Sequence, residues 1–111
     1  MYDFLLSEAW WMKTIITALI AAGTNIVESG ECGNEVWYTL DSNGLLTITS
    51  HQNQNQTQYT IDAHAFNGRT DIKKIKIESG VTEIDDYAFV NVTNLENIEL
   101  PSTLKIVGIC V

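Results

Sequence analysis

Ile61-Asp62-Ala63-His64-Ala65-Phe66 returns 23 residues later as Ile84-Asp85-Asp86-Tyr87-Ala88-Phe89. Ile72-Lys73-Lys74-Ile75-Lys76-Ile77 returns at the same interval as Leu95-Glu96-Asn97-Ile98-Glu99-Leu100, and Val81 and Ile84 return as Leu104 and Val107. A fixed period of roughly 20 to 50 residues marks stacked supersecondary units. The pattern predicts a solenoid over residues 59–111, with two complete repeats and a third that stops at Val111, before its own Ala-Phe pair. The expectation is an N-terminal piece of a longer repeat protein, or a truncated gene product.

Each unit carries its own strand signal. Ile72, Ile75 and Ile77 follow L-x-x-L-x-L, as do Leu95, Ile98 and Leu100. The x-L-x-L part alternates with period two, so one face points inward. Stacking by one period would place Ile75 beside Ile98 and Ile77 beside Leu100. Val81-Thr82-Glu83-Ile84 is a second, β-branched strand-like piece. Ser79-Gly80 and Pro101-Ser102 read as corners. The Ala-Phe pairs suit a turn or one helical turn, with Phe filling the middle of the unit. One unit cannot bury its own apolar residues, so burial must come from units above and below.

Upstream, Trp37–Leu40 and Leu45–Thr49 are strand-like runs joined by Asp41-Ser42-Asn43-Gly44, a strong hairpin signal. This hairpin is expected to lie over the first repeat and cover its open end, with Trp37 and Tyr38 adding bulk to one or both faces. Thr24–Glu31 reads as a short polar lead-in. His51–Gln58 is a polar, low-complexity tract and is expected to be a mobile surface loop. Residues 24–58 thus form a capping hairpin and polar loop, and residues 59–111 the repeats.

Ile84 to Val107, with Leu100-Pro101 and Gly108, resembles the BspA-type leucine-rich repeats, whose repeat runs roughly I-x-x-x-A-F-x-x-x-x-x-L-x-x-I-x-L-P-x-x-V-x-x-I. The first repeat departs from that pattern, with Glu78 at the usual Pro and Asp62 and Asp85 at the usual Gly. Gly30-Glu31-Cys32-Gly33, Trp37 and Leu40 to Ile48 are similar to the hairpin that often precedes such repeats. The resemblance implies a leucine-rich-repeat solenoid, β-rich with short helical turns of the α/β horseshoe type, behind an N-terminal hairpin cap. It also implies a secreted or cell-surface binding module, used in adhesion or host contact, with extracellular proteins or other cells as partners.

The extreme N-terminus differs in character. Phe4 to Ala22 is mostly apolar, interrupted by Ser7, Glu8, Lys13, Thr14 and Thr17. Residues 1–23 read as a secretory signal: Met12-Lys13 a positive start, Ile15 to Ala22 the apolar core, Ala21-Ala22-Gly23 a cleavage site. On that reading translation starts at Met1 or at Met12. The alternatives are an apolar helix retained in the mature chain and, least favoured, a spanning helix, for which the clean run falls short of about 20 residues. Removing residues 1–23 takes Asp3, Glu8 and Lys13 and moves the net charge from −8 to −7. That acidity argues against a nucleic-acid backbone or an anionic membrane as partner.

Candidate chemistry is sparse. Cys32 and Cys110 are the only cysteines, and their separation along the stack disfavours an intrachain disulfide. Cys110 shares a column with His64 and Tyr87. His51 and His64 have no ligand-spaced Cys or carboxylate, so no metal is expected. Glu83, Asp85 and Asp86 read as a solvated acidic turn before they read as a calcium site. No nucleophile–base pair and no phosphate loop occurs, so neither catalysis nor a cofactor is expected. Asn55-Gln56-Thr57 and Asn91-Val92-Thr93 fit the N-glycosylation triplet. The candidate binding face is the outward side of the strand column: Lys74, Lys76, Glu78, Asn97 and Glu99. One period places Lys76 beside Glu99 and Lys73 beside Glu96, pairs that also serve register and solubility. The reading that competes with binding is a repeat spacer or cap for another domain beyond Val111. A small hydrolase is the weakest reading.

Overall fold

The computed structural model describes residues 25–111. The signal or apolar helix expected at residues 1–23, with the choice between Met1 and Met12, lies outside the described residues. Eight strands follow in order: β1 Ile26–Gly33, β2 Val36–Asp41, β3 Leu45–Ser50, β4 Thr60–Ile61, β5 Lys74–Ile77, β6 Glu83–Ile84, β7 Asn97–Glu99 and β8 Ile106–Val107. They make two sheets, one ordered β1-β2-β3-β5-β7 and one ordered β4-β6-β8. The fold is a β-rich repeat fold.

The parallel pairs carry the period of the sequence. β5 pairs β7 with Lys74 opposite Asn97, Ile75 opposite Ile98 and Lys76 opposite Glu99. On the other sheet Thr60, Glu83 and Ile106 line up, as do Ile61, Ile84 and Val107. Side chains repeat the interval. The Thr60 hydroxyl donates to Glu83 Oε1 at 3.0 Å, the Tyr59 N–H to Thr82 Oγ1 at 2.9 Å, and the Gly80 N–H to Thr103 Oγ1 at 2.9 Å. Between the sheets, Phe66 stacks on Phe89 with ring centroids 5.6 Å apart and planes within 5°. Around them Ile61, Ile72, Ile75, Ile77, Val81 and Ile84 form the buried core. Alternation decides this: Lys74 and Lys76 are exposed where Ile75 and Ile77 are buried.

β2 and β3 pair antiparallel across the Asp41–Gly44 turn, with Tyr38 opposite Ile48 and Leu40 opposite Leu46. Asp41 Oδ1 accepts the N–H groups of Asn43 (2.8 Å) and Leu45 (2.9 Å), and Gly44 takes a φ of 86°, open to glycine at little cost. β3 then joins the repeats, pairing parallel with β5 through Leu46 and Ile75, and Ile48 and Ile77. Tyr38 points inward and meets Phe66 edge-on at 5.0 Å.

Two expectations need correcting. First, the short helical turns are not seen. Ala65, Asn67 and Arg69 each donate backward by three residues only, to the carbonyls of Asp62, His64 and Phe66. The intervening N–H groups of His64, Phe66 and Gly68 go to Asp86, Ala88 and Val90 of the next unit, at 3.2, 2.8 and 2.9 Å. His64 and Tyr87 have left-handed φ of 60° and 59°, and Cys110 follows at 53°. A left-handed residue interrupts a right-handed helix at a cost of roughly 1–2 kcal/mol. The bonds between units offset it.

Second, the lead-in is an eight-residue strand, β1, antiparallel to β2. Gly33 in it lies so close to the Thr60 carbonyl that a Cβ there would run into it, and the Asp62 N–H donates to the Cys32 carbonyl at 2.8 Å. The end of β1 therefore closes over the start of the second sheet. The polar tract 51–58 lies on the surface and is hydrogen-bonded to the body. The Asn53 N–H donates to Tyr59 Oη at 2.8 Å, Gln56 Nε2 donates to the Asn34 carbonyl at 2.9 Å, and His51 lies 3.3 Å from Glu35. Tyr59 itself is buried.

Candidate binding face

The registers of the first sheet combine into rows that cross all five strands. Glu28, Leu40, Leu46, Ile75 and Ile98 make one inward row. Ser29, Thr39, Thr47, Lys76 and Glu99 make an outward row, with Trp37 and Thr49 paired beside it. Four of the five residues singled out from the sequence, Lys74, Lys76, Asn97 and Glu99, sit on this sheet, and Glu78 follows directly after β5. Lys74, Lys76, Asn97 and Glu99 are exposed and Glu78 is half-buried. Its N–H donates to the Ile48 carbonyl at 2.8 Å. Along the outward row Ser29, Lys76 and Glu99 are exposed and Thr47 is half-buried, but Thr39 is buried, so the exposed face is interrupted at β2.

The ion pairs expected along the column do not form. Lys76 and Glu99 are register partners, and Glu96 donates its N–H to the Lys73 carbonyl at 2.7 Å. Among the described residues, however, neither pair closes to a salt bridge. The lysine ammoniums and the Glu99 carboxylate stay solvated, available to a partner's opposite charges.

The firm ionic contact lies elsewhere and was not legible in advance. Arg69 forks onto Glu28, with Nη2 donating to Oε1 at 2.8 Å and Nη1 to Oε2 at 3.1 Å. It also donates to Asp71 at 3.0 and 2.9 Å. The Tyr38 hydroxyl donates to Glu28 Oε2 at 2.6 Å. The Arg69 hydrogen bonds hold both the Glu28 and Asp71 carboxyls below their ordinary values. Burial, then the Glu28 bond, pushes the Tyr38 phenol up to about 12. The Arg69 guanidinium is raised by its two carboxylates, Asp71 first. This network pins β1 to the first repeat across 41 residues of sequence. A lone Arg in a loop gives no sequence signal for that.

The remaining candidates are accounted for by local bonding. Asp85 Oδ1 accepts the Asp86 N–H at 2.7 Å, Asp86 Oδ1 accepts the Ile109 N–H at 2.9 Å, and Glu83 takes the Thr60 hydroxyl. No group of three or more metal-ligating side chains is found among the described residues. His64 stacks on Tyr87 at 5.1 Å. Both cysteines are free, Cys32 buried and Cys110 exposed, and burial with nearby Asp62 and Glu31 pushes the Cys32 thiol up to about 12. Asn55 and Asn91 of the two triplets are exposed. A polar hollow of about 370 Å³ lies beside the 51–58 segment, lined by Asn34, Asn55, Gln58, Thr60 and Asp62 among others. No helix among the described residues is long and apolar enough to cross a membrane.

The family model described as BspA type Leucine rich repeat region (6 copies) matches residues 43–110. No curated protein and no solved structure matches the chain.

Proposed function

The chain belongs to the BspA-type leucine-rich-repeat family, and from that premise we propose that it is a secreted or cell-surface binding module that contacts extracellular protein or another cell. Repeats of this family are generally non-catalytic, often surface-associated, and suited to binding protein. The finer reading is that the units form a short solenoid behind a cap, with residues 24–58 as hairpin and loop and 59–111 as repeats. The apolar leader at residues 1–23 supports export as its route. The ligand-facing residues in this reading are Lys74, Lys76, Glu78, Asn97 and Glu99.

One observation carries the proposal. The exposed Lys74, Lys76, Asn97 and Glu99 line one side of β5 and β7 in register, beside the half-buried Thr47 of β3. A solenoid's sheet face is its ordinary recognition surface. Here β3 extends that side by one strand through Thr47, and further repeats would be needed to approach the roughly 800 Å² per partner of a stable interface. The competing spacer role uses none of these outward side chains.

Adhesion of the full chain to collagen-, laminin- and fibronectin-coated surfaces and to cultured cells tests the reading. Saturable binding is expected, weakened roughly tenfold or more by Lys74→Glu with Lys76→Glu, charges at a rim acting mainly on encounter and specificity. Binding indifferent to that double substitution would remove the face. Absence of binding on every surface would favour the spacer.

A further inference from the structure

Where the hairpin cap meets the second sheet, the surface sinks into the polar hollow of about 370 Å³. Its walls are Asn34 between β1 and β2, the stretch from Asn55 to Gln58, and Thr60 and Asp62 at β4. A recess of about 260 Å³, lined by Glu31, Gly33, Asn34 and Asp62, shares two residues with it. The two make one cleft. Gly33, pressed against the Thr60 carbonyl with no room for a Cβ, puts no side chain into it.

The wall of the cleft is held in place. Buried Tyr59 accepts the Asn53 N–H on its hydroxyl at 2.8 Å and donates to the Gln56 carbonyl at 3.1 Å. Gln56 Nε2 donates to the Asn34 carbonyl at 2.9 Å and to the Gln58 carbonyl at 2.7 Å, tying the segment to the β1–β2 connection. Four other side chains on the cleft are unengaged. Among the described residues, those of Asn34, Asn55, Gln58 and Asp62 make no hydrogen bond, and all four residues are exposed.

We propose that this cleft binds a neutral oligosaccharide. The lining selects the class. Each amide offers two N–H donors and a carbonyl acceptor, and a carboxylate accepts from two neighbouring hydroxyls at once. A sugar presents adjacent hydroxyls that both donate and accept, so each finds a complement. Other ligand classes fit badly. The cleft is lined by no lysine or arginine but by the carboxylates of Glu31 and Asp62, so phosphates, sulfates and acidic sugars meet repulsion. Apolar small molecules need mostly apolar walls with a few polar groups, the reverse of this lining. A peptide strand needs an open sheet edge or side-chain pockets. β4 is paired with β6, and the end of β1 closes its other side through the bond from Asp62 to Cys32. A metal needs several ligating side chains together, and no group of three occurs among the described residues. The cleft lies at β4 of the second sheet, so the inference does not rest on the Lys74–Glu99 side of the first.

NMR titration of the full nitrogen-15-labelled chain, produced without N-glycosylation at Asn55, tests this. The probes are short oligomers of glucose (α- and β-linked), mannose and N-acetylglucosamine, with a heparin fragment and spermine as charged controls, each to about 10 mM. At least one neutral oligomer is expected to shift the side-chain amide signals of Asn34, Asn55 and Gln58 saturably, with a Kd of about 1 mM or below. Asn34→Ala with Gln58→Ala is expected to weaken binding at least about tenfold while backbone signals away from the cleft stay in place. Asp62→Ala alone should weaken it several-fold. Lys74→Glu with Lys76→Glu is expected to leave sugar binding unchanged, which separates this site from the proposed protein-binding face. No saturable shift with any neutral oligomer overturns the proposal. So does sugar binding indifferent to both the Asn34–Gln58 pair and Asp62→Ala, or sugar binding lost with the lysine substitutions. Shifts at these amides from heparin or spermine alone would make the cleft a site for charged ligands, and equally overturn it.

Discussion

Ile75 and Ile98 occupy equivalent places in successive units, have the same flanking alternation, and are hydrogen-bonded register partners. One is sealed and the other is wet. Nothing in either unit's own sequence makes that difference; it comes from β3 on one side of β5 and open solvent on the far side of β7. In a repeat protein, burial belongs to the neighbour. A pattern read from one unit gives the shape of a side chain's site, while the rank of the unit in the stack gives its energy.

The widest contrast between inner and outer regions should appear in thiol chemistry. Cys32 is buried with its thiol pushed up from 9.0 to about 12, which lowers its thiolate population about a thousandfold near neutral pH. Cys110 is exposed. Maleimide labelling followed by mass spectrometry is expected to modify Cys110 alone in the native chain and both cysteines in denaturant. Rapid native labelling of Cys32 would mean that β1 does not close over the stack.

Next in size is the pair Ile75→Ala and Ile98→Ala. The first removes a buried side chain and is expected to cost about 2–5 kcal/mol. The second, at a partly solvated site, is expected to cost under about 1 kcal/mol. Urea unfolding measures both. Equal costs would break the comparison between the units.

The smallest effect concerns the pin between β1 and the first repeat. Arg69→Ala removes the fork onto Glu28, and because these groups are partly exposed the loss should be about 1 kcal/mol or less. Its sign with pH is fixed. The Glu28 and Asp71 carboxyls are lowered from 4.5 and 3.8. Their contribution is therefore fully present above those values and is lost as pH falls through the lowered, folded-state range. The stability difference between wild type and Arg69→Ala should hold at pH 7 and shrink below about pH 4. A difference that persists at pH 2 would show that Arg69 acts by packing.

How much of this was legible follows from the range of the interactions. The period fixed the partners Ile75 and Ile98, Lys76 and Glu99, and Phe66 and Phe89, because a parallel stack translates one sequence interval into one spatial step. The Asn43-Gly44 turn identified the β2–β3 pair, since its backbone requirement is local. β1 escaped notice because its inward position is a carboxylate, Glu28, made acceptable by an arginine 41 residues away. The absence of helical turns was only partly legible. One left-handed column is His64, Tyr87 and Cys110, three residue types with no shared preference for that backbone, while Gly68 and Asn91 form a second column whose residue types do favour it. Alternation alone gave the outward side of Lys74, Lys76, Asn97 and Glu99, but the row that joins Lys76 to Thr47, Thr39 and Ser29 needed the registers of the hairpin.

The shared interval has a genetic corollary. Because Val107 repeats the site of Ile84 and Gly108 leads away at the same point in the cycle, a tandem copy of codons 85–107 spliced in after residue 107 would bring edges and side chains already cut to fit. Unequal crossing-over within such a gene changes the protein's length in whole steps while leaving every existing contact in place, so recognition surface can be gained or shed without redesigning the interior.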